Sequence, residues 1–89
     1  MLTIRPTARF KKDLTKASRR DRDIKKLQEV LEKLAIPEPL PEKDRDHKLK
    51  GEWRDFRECH VEPDWLLIYT ITDFELRLAR IGTHAELFD

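Results

Sequence analysis

Residues 60–82 read HVEPDWLLIYTITDFELRLARIG, and the fold follows from how this stretch divides. WLLIYTI (residues 65–71) is apolar at nearly every position, as expected of a central strand covered on both faces. TDF (72–74) makes a turn. ELRLARIG (75–82) alternates, with Leu76, Leu78 and Arg80 on one side. Upstream, Pro63 closes a third run, EWRDFRECHV (52–61). In it Arg54, Phe56, Glu58 and His60 share one face, and Asp55, Arg57, Cys59 and Val61 the other. Three such runs with short connections predict an antiparallel meander with WLLIYTI in the middle.

Working outward, LTI (Leu2 to Ile4) reads as a short first strand stopped by Pro6, which has no N–H to donate. Thr7 can cap a helix with Phe10, Leu14 and Ala17 on one face. Ser18 or Asp21 can start a second helix, whose stripe is Ile24, Leu27, Val30, Leu31 and Leu34. IPEPLPEKDRD (36–46) carries three prolines at alternate positions, which prevent helix and favour a stiff surface loop. The tail THAELFD leaves the last strand after Gly82. The chain is therefore expected to be one domain over residues 1–89. Its class is α+β, with an N-terminal strand and a two-helix hairpin packed on a twisted, mainly antiparallel four-stranded sheet.

Only 38% of the 89 residues are hydrophobic and 42% are charged, so a thin core must hold a heavily charged surface. The apolar run Leu66 to Tyr69 is far too short to span a bilayer, and the start lacks a signal-peptide pattern; no membrane association is expected. Cys59 is the single cysteine, which excludes an internal disulfide and fits a reducing cytoplasm. The net charge of +1 is unevenly spread, with +6 on residues 1–36 and −5 on the remainder. Such a basic half suits a polyanion or an acidic partner, although a solvated helix face would look the same.

The three histidines, His47, His60 and His84, lie in the second half. Taken singly, each fits an ordinary surface position. Their neighbours strengthen the case. In a meander the end of EWRDFRECHV, the start of WLLIYTI and the end of ELRLARIG lie together, so His60, Asp64, Trp65, Arg80 and His84 should converge. A metal centre is not expected, because adjacent Cys59 and His60 point to opposite faces and no CxxC or HExxH spacing occurs. The same adjacency rules out a Cys–His nucleophile. Two glycines leave no phosphate-binding glycine loop. RNA cleavage through the 2′-hydroxyl suits the inventory better. It needs a base, an acid and a cation for the phosphorane, and no cofactor. Histidine can take either proton role, arginine forks onto phosphate, and Trp65 or Phe88 offers a ring for an unpaired base.

At this point DHKLKGEWRDFRECHVEPDWLLIYTITDFELRLARIGTHAELF resembles the YafQ branch of the RelE/ParE toxin superfamily. The likeness rests on DHxLxG, HVEPDWLLIY and RxGTHxxLF, and extends over essentially the whole chain. It implies a RelE-like fold and a ribosome-dependent mRNA interferase held inactive, as a hetero-oligomer, by a cognate antitoxin. By the same likeness His47, His60, Asp64, Arg80 and His84 would be catalytic and Trp65 and Phe88 would contact RNA. Ribosome, mRNA and antitoxin would be the partners and the cytoplasm the place. A non-nucleolytic ParE-like toxin or protein-binding module is the alternative, but it has no need of titratable groups converging at one sheet end.

Overall fold

In a computed structural model that describes residues 1–36, the backbone of 47–48, and residues 55–88, the central strand is where the apolar run predicts it. Strand β4 (Trp65–Ile71) is flanked by β3 (Arg57–Glu62) and β5 (Glu75–Gly82), both antiparallel to it. Strand β1 (Thr3–Pro6) runs parallel to β5 on its far side, with Thr3 opposite Glu75 and Pro6 opposite Leu78. The expected four strands are thus present in a mixed sheet. A fifth, β2 (His47–Lys48), lies along β3 and gives the order β1-β5-β4-β3-β2. Two residues are too few to show a period, so the sequence could not announce it. The expected proline loop and the first residues of the 52–61 run lie outside the described residues.

Helix α1 (Ala8–Arg19) begins as expected at Thr7, whose hydroxyl accepts from the Phe10 N–H at 3.1 Å. Helix α2 (Ile24–Ala35) corrects the expected start. Its cap is Asp23, which accepts from the Lys26 N–H at 3.2 Å. Ser18 is absorbed into α1, and Asp21 occupies the turn at φ 55°, a left-handed conformation that Asp tolerates better than most residues. Phe10 and Ala17 of α1 and Leu27, Val30 and Leu34 of α2 pack on Cys59, Val61, Trp65, Leu67, Tyr69, Leu76 and Leu78.

The opposite face is smaller. Leu66 and Ile68 are covered by Leu87 of α3 (His84–Phe88), with Phe56 and Ala79 half-buried beside them. The segment read as a tail is therefore a helix that closes the second face. Five residues show no apolar period, but Thr83 and Glu86 carry a legible start signal. Thr83 N–H donates to Glu86 Oε1 at 3.0 Å, and Glu86 N–H donates to Thr83 Oγ1 at 3.2 Å, which is a capping box. The β4–β5 register also shifts. Tyr69 faces Leu78 and Ile68 faces Arg80, so Ala79 is an extra residue on β5 and the alternation expected through Arg80 breaks there.

Leu67 has no exposed surface. Leu67→Ala is expected to cost about 2–5 kcal/mol, the range for emptying a large core side chain. Urea melts of the purified variant check this.

Candidate functional site at the end of the sheet

Three elements bring ionisable groups to one end of the sheet: β3 carries His60 near its end, the β3–β4 turn holds Asp64, and α3 opens with His84. Asp64 Oδ1 accepts from the His84 backbone N–H at 3.1 Å and lies 3.2 Å from its Nδ1. A carboxylate only accepts, so Nδ1 carries the hydrogen and Nε2 is left as the second proton-transfer position. The backbone hydrogen bond from His84, followed by the ring's, holds the Asp64 carboxyl below its ordinary range. Both side chains are open to solvent, at 58% for His84 and 63% for Asp64.

The His60 ring lies 6.0 Å from the His84 ring and is more enclosed. Its Nδ1 is 3.1 Å from the Pro63 carbonyl oxygen, again an acceptor, so Nδ1 is the donor. Its Nε2 lies 3.6 Å from Oε1 of Glu58, a carboxylate only 4% exposed. Phe88 stands 6.0 Å from His84 on the other side, tilted by 46° and 41% exposed. The pair, the second histidine and an open aromatic ring thus form one patch.

Two expected members are elsewhere. Arg80 Nε and Nη2 donate to Asp13 Oδ2 and Oδ1 at 3.1 and 3.0 Å, and the Ile81 N–H donates to the same Oδ2 at 3.2 Å. The guanidinium is therefore committed to a carboxylate of α1 and is only 15% exposed, which corrects the expectation of a free cation at the sheet end. Trp65 is 1% exposed and belongs to the core, so as placed no base can stack on it. The reason is strand parity: Trp65 shares the helix-covered face with Leu67 and Tyr69, while Asp64 remains in the turn. The side chain of His47 lies outside the described residues; its backbone pairs with Glu58 across β2 and β3.

Three acids at or behind the site were not singled out from the sequence. Glu58 could have been, since it shares the alternating face with His60. Glu86 is legible as the fourth residue of the capping box. Asp13 carries no local signal, because its partner is 67 residues away. Glu86 also binds Lys16 Nζ at 2.7 Å and Arg20 Nη1 at 3.2 Å through Oε2. The Lys16 bond, followed by the Thr83 N–H, pulls its pKa down to about 2. Among the described residues no three His, Cys, Asp or Glu side chains group closely enough to hold a metal ion.

A small α+β domain with a solvent-open Asp–His pair at a sheet end has the chemical groups to transfer a proton to or from a molecule docked outside it. Residues 2–89 match the family described as bacterial toxin of type II toxin-antitoxin system, YafQ, and the chain belongs to that family. It is 45% identical over 83 residues to the mRNA interferase toxin YafQ of Escherichia coli (strain K12), spanning 92% of this chain and 90% of that protein. It resembles the copper-bound mutant toxin from Helicobacter pylori with a TM-score of 0.95 at 44% identity, over 99% of this chain and 100% of that one. A chain of the E. coli DinJ–YafQ complex gives a TM-score of 0.91 at 42% identity, over the full length of both.

The Glu86 carboxyl is lowered from an ordinary 4.5 to about 2, so its contribution to stability is present above about pH 4.5 and is lost as pH falls toward 2. Glu86→Gln should flatten that part of the stability curve and leave its neutral-to-alkaline shape unchanged. Urea melts of both proteins between pH 2 and 7 measure it.

Proposed function

We propose that this chain is the endoribonuclease toxin of a type II toxin–antitoxin pair, acting in the cytoplasm on mRNA in the ribosomal A site. The observation that supports this most directly is the His84–Asp64 pair, solvent-open and 6.0 Å from a second histidine ring. The family and the mRNA interferase named among its relatives agree with it.

In this reading one group takes the 2′-hydroxyl proton and the 2′-oxygen attacks phosphorus. The bond to the 5′-oxygen breaks, and an acid protonates that oxygen. His84 is the acid. Asp64 fixes its Nδ1–H and stabilises the imidazolium, which makes Asp64 an orienting carboxylate. His60, whose Nδ1–H is fixed by Pro63, reaches the 2′-proton through Nε2 only by leaving Glu58; His47 is the other candidate for that role. Phe88 receives an unpaired base by stacking. Arg80 reaches the phosphorane only by leaving Asp13, so its first duty is to hold α1 against β5. The chemistry requires no metal, since the nucleophile belongs to the substrate.

The products test the mechanism. Fragments should carry a 2′,3′-cyclic or 3′-phosphate and a 5′-hydroxyl, and cleavage should survive chelation once the ribosome's own need for Mg²⁺ is controlled for. Fragments with 5′-phosphates would point instead to a metal-activated water. His84→Ala should lose about 10²–10⁴-fold in single-turnover cleavage on programmed ribosomes, with a melt close to wild type because the side chain is largely exposed. A folded, ribosome-binding His84→Ala protein that cuts at the wild-type rate removes His84 from the mechanism. The same result for His60, His47 and Asp64 would favour a toxin that acts by protein contact alone.

The DinJ–YafQ complex supports an antitoxin partner for this chain as well. The basic half, Arg5 to Lys33, suits an acidic or amphipathic antitoxin segment that orders on binding. The complex should fail to cut ribosome-bound mRNA in the same assay; normal cutting by the intact complex would refute this account of inhibition.

A further inference from the structure

The cations near the sheet end are mostly engaged: Arg80 binds Asp13, and Lys16 and Arg20 bind Glu86. Arg22 is different. Among the described residues no carboxylate lies within ion-pair distance of it, and its guanidinium rests 5.9 Å from the centre of the Trp65 ring. The turn between α1 and α2 fixes its position. Arg20 N–H and Arg22 N–H both donate to the Ala17 carbonyl, at 3.0 and 3.3 Å, with Asp21 between them at φ 55°. Asp23 then caps α2.

Arg22 lines a shallow concavity with Lys16, Arg20, Trp65, Gly82 and Glu86. Leu66, next to Trp65, pairs with Gly82 where β4 begins and β5 ends, so the concavity lies at the same end of the sheet as the Asp64–His84 pair. The electrostatics agree. Hydrogen bonds from His84 lower the Asp64 carboxyl most, and the Arg22 charge adds a smaller effect. With Arg80 and Asp64 counted, four cations stand near three carboxylates, Asp13, Asp64 and Glu86, leaving one positive charge in surplus.

We propose that Arg22 binds the backbone phosphate adjacent to the scissile one. The inference rests on the RNA-cleaving reading above. A guanidinium is permanently charged, weakly hydrated and forked to match two phosphate oxygens. Held over an indole face by a fixed turn, it meets the phosphate with little freedom left to lose. Arg22, half-buried and without a carboxylate partner among the described residues, thus supplies the cation that Arg80, tied to Asp13, does not.

The test is a cycle on programmed ribosomes, combining protein variants with an mRNA whose phosphate beside the cleavage site is replaced by an uncharged methylphosphonate. Arg22→Ala, Arg22→Lys and Arg77→Ala are compared; the last removes the same charge near the opposite end of β5. Wild type and Arg77→Ala should lose about tenfold or more in half-saturating concentration on the neutral linkage. Arg22→Ala should already show that loss on ordinary mRNA and lose little more on the neutral one, with its limiting rate less affected, and Arg22→Lys should recover part of it. An Arg22→Ala protein that remains as sensitive to the neutral linkage as wild type overturns the proposal. So does one indistinguishable from Arg77→Ala on ordinary mRNA, a result that would leave the concavity to a protein contact. Failure of wild type itself to cut the programmed mRNA would instead overturn the RNA-cleaving reading, and this inference with it.

Discussion

Strand β4 presents apolar side chains to both faces of the sheet, and a chain of this size must keep water from both. Leu66 to Tyr69 have no exposed surface at all. One face is covered by α1 and α2, which accounts for the helical hairpin and most of the core. The other needs only a small lid over Leu66 and Ile68, and α3 supplies it through Leu87. The site is a by-product of that lid. Packing Leu87 onto the sheet brings the first residue of α3, His84, against the β3–β4 turn, where Asp64 receives it. The same parity that buries Trp65 leaves Asp64 outside.

With so lean a core, acids join elements that apolar contact alone would leave loosely oriented. Asp13 substitutes for a strand: β1 pairs with β5 only as far as Leu78, and beyond the extra residue Ala79 the Asp13 carboxylate takes the Ile81 N–H and clamps Arg80. Glu86 ties α1 to α3 through Lys16 and Arg20 while capping α3 itself. Such pairs add little to stability where they are exposed. Their effect is orientation. They set how α1 and α3 sit on the sheet, and with them the placing of His84, Phe88 and the Arg22 turn.

The meander, the two amphipathic helices and the convergence of His60, Asp64 and His84 could be read from the sequence, because each rests on local periodicity or on the rule that successive antiparallel strands place alternate ends together. What misled the reading was also local. Arg80 falls in step with Leu76 and Leu78 until an extra residue on β5 breaks the alternation, and nothing in ELRLARIG announces that slip. Trp65 looks like a site residue because it follows Asp64, yet one position along a strand changes the face. Asp21 looks like a cap but occupies a left-handed turn, and the cap moves to Asp23.

Sequence alone determined the fold class, the central strand, the helix faces and the chemical inventory, since hydrophobic periodicity and residue chemistry are properties of short stretches. The tertiary structure decided which of those groups are free to act. Arg80 is engaged because Asp13, 67 residues away, reaches it. Glu58 is buried beside His60, and Arg22 rests half-buried over Trp65 because a turn between helices carries it there. Ion pairing and burial depend on distances between elements remote along the chain, and those distances exist only once the sheet and its two coverings have closed.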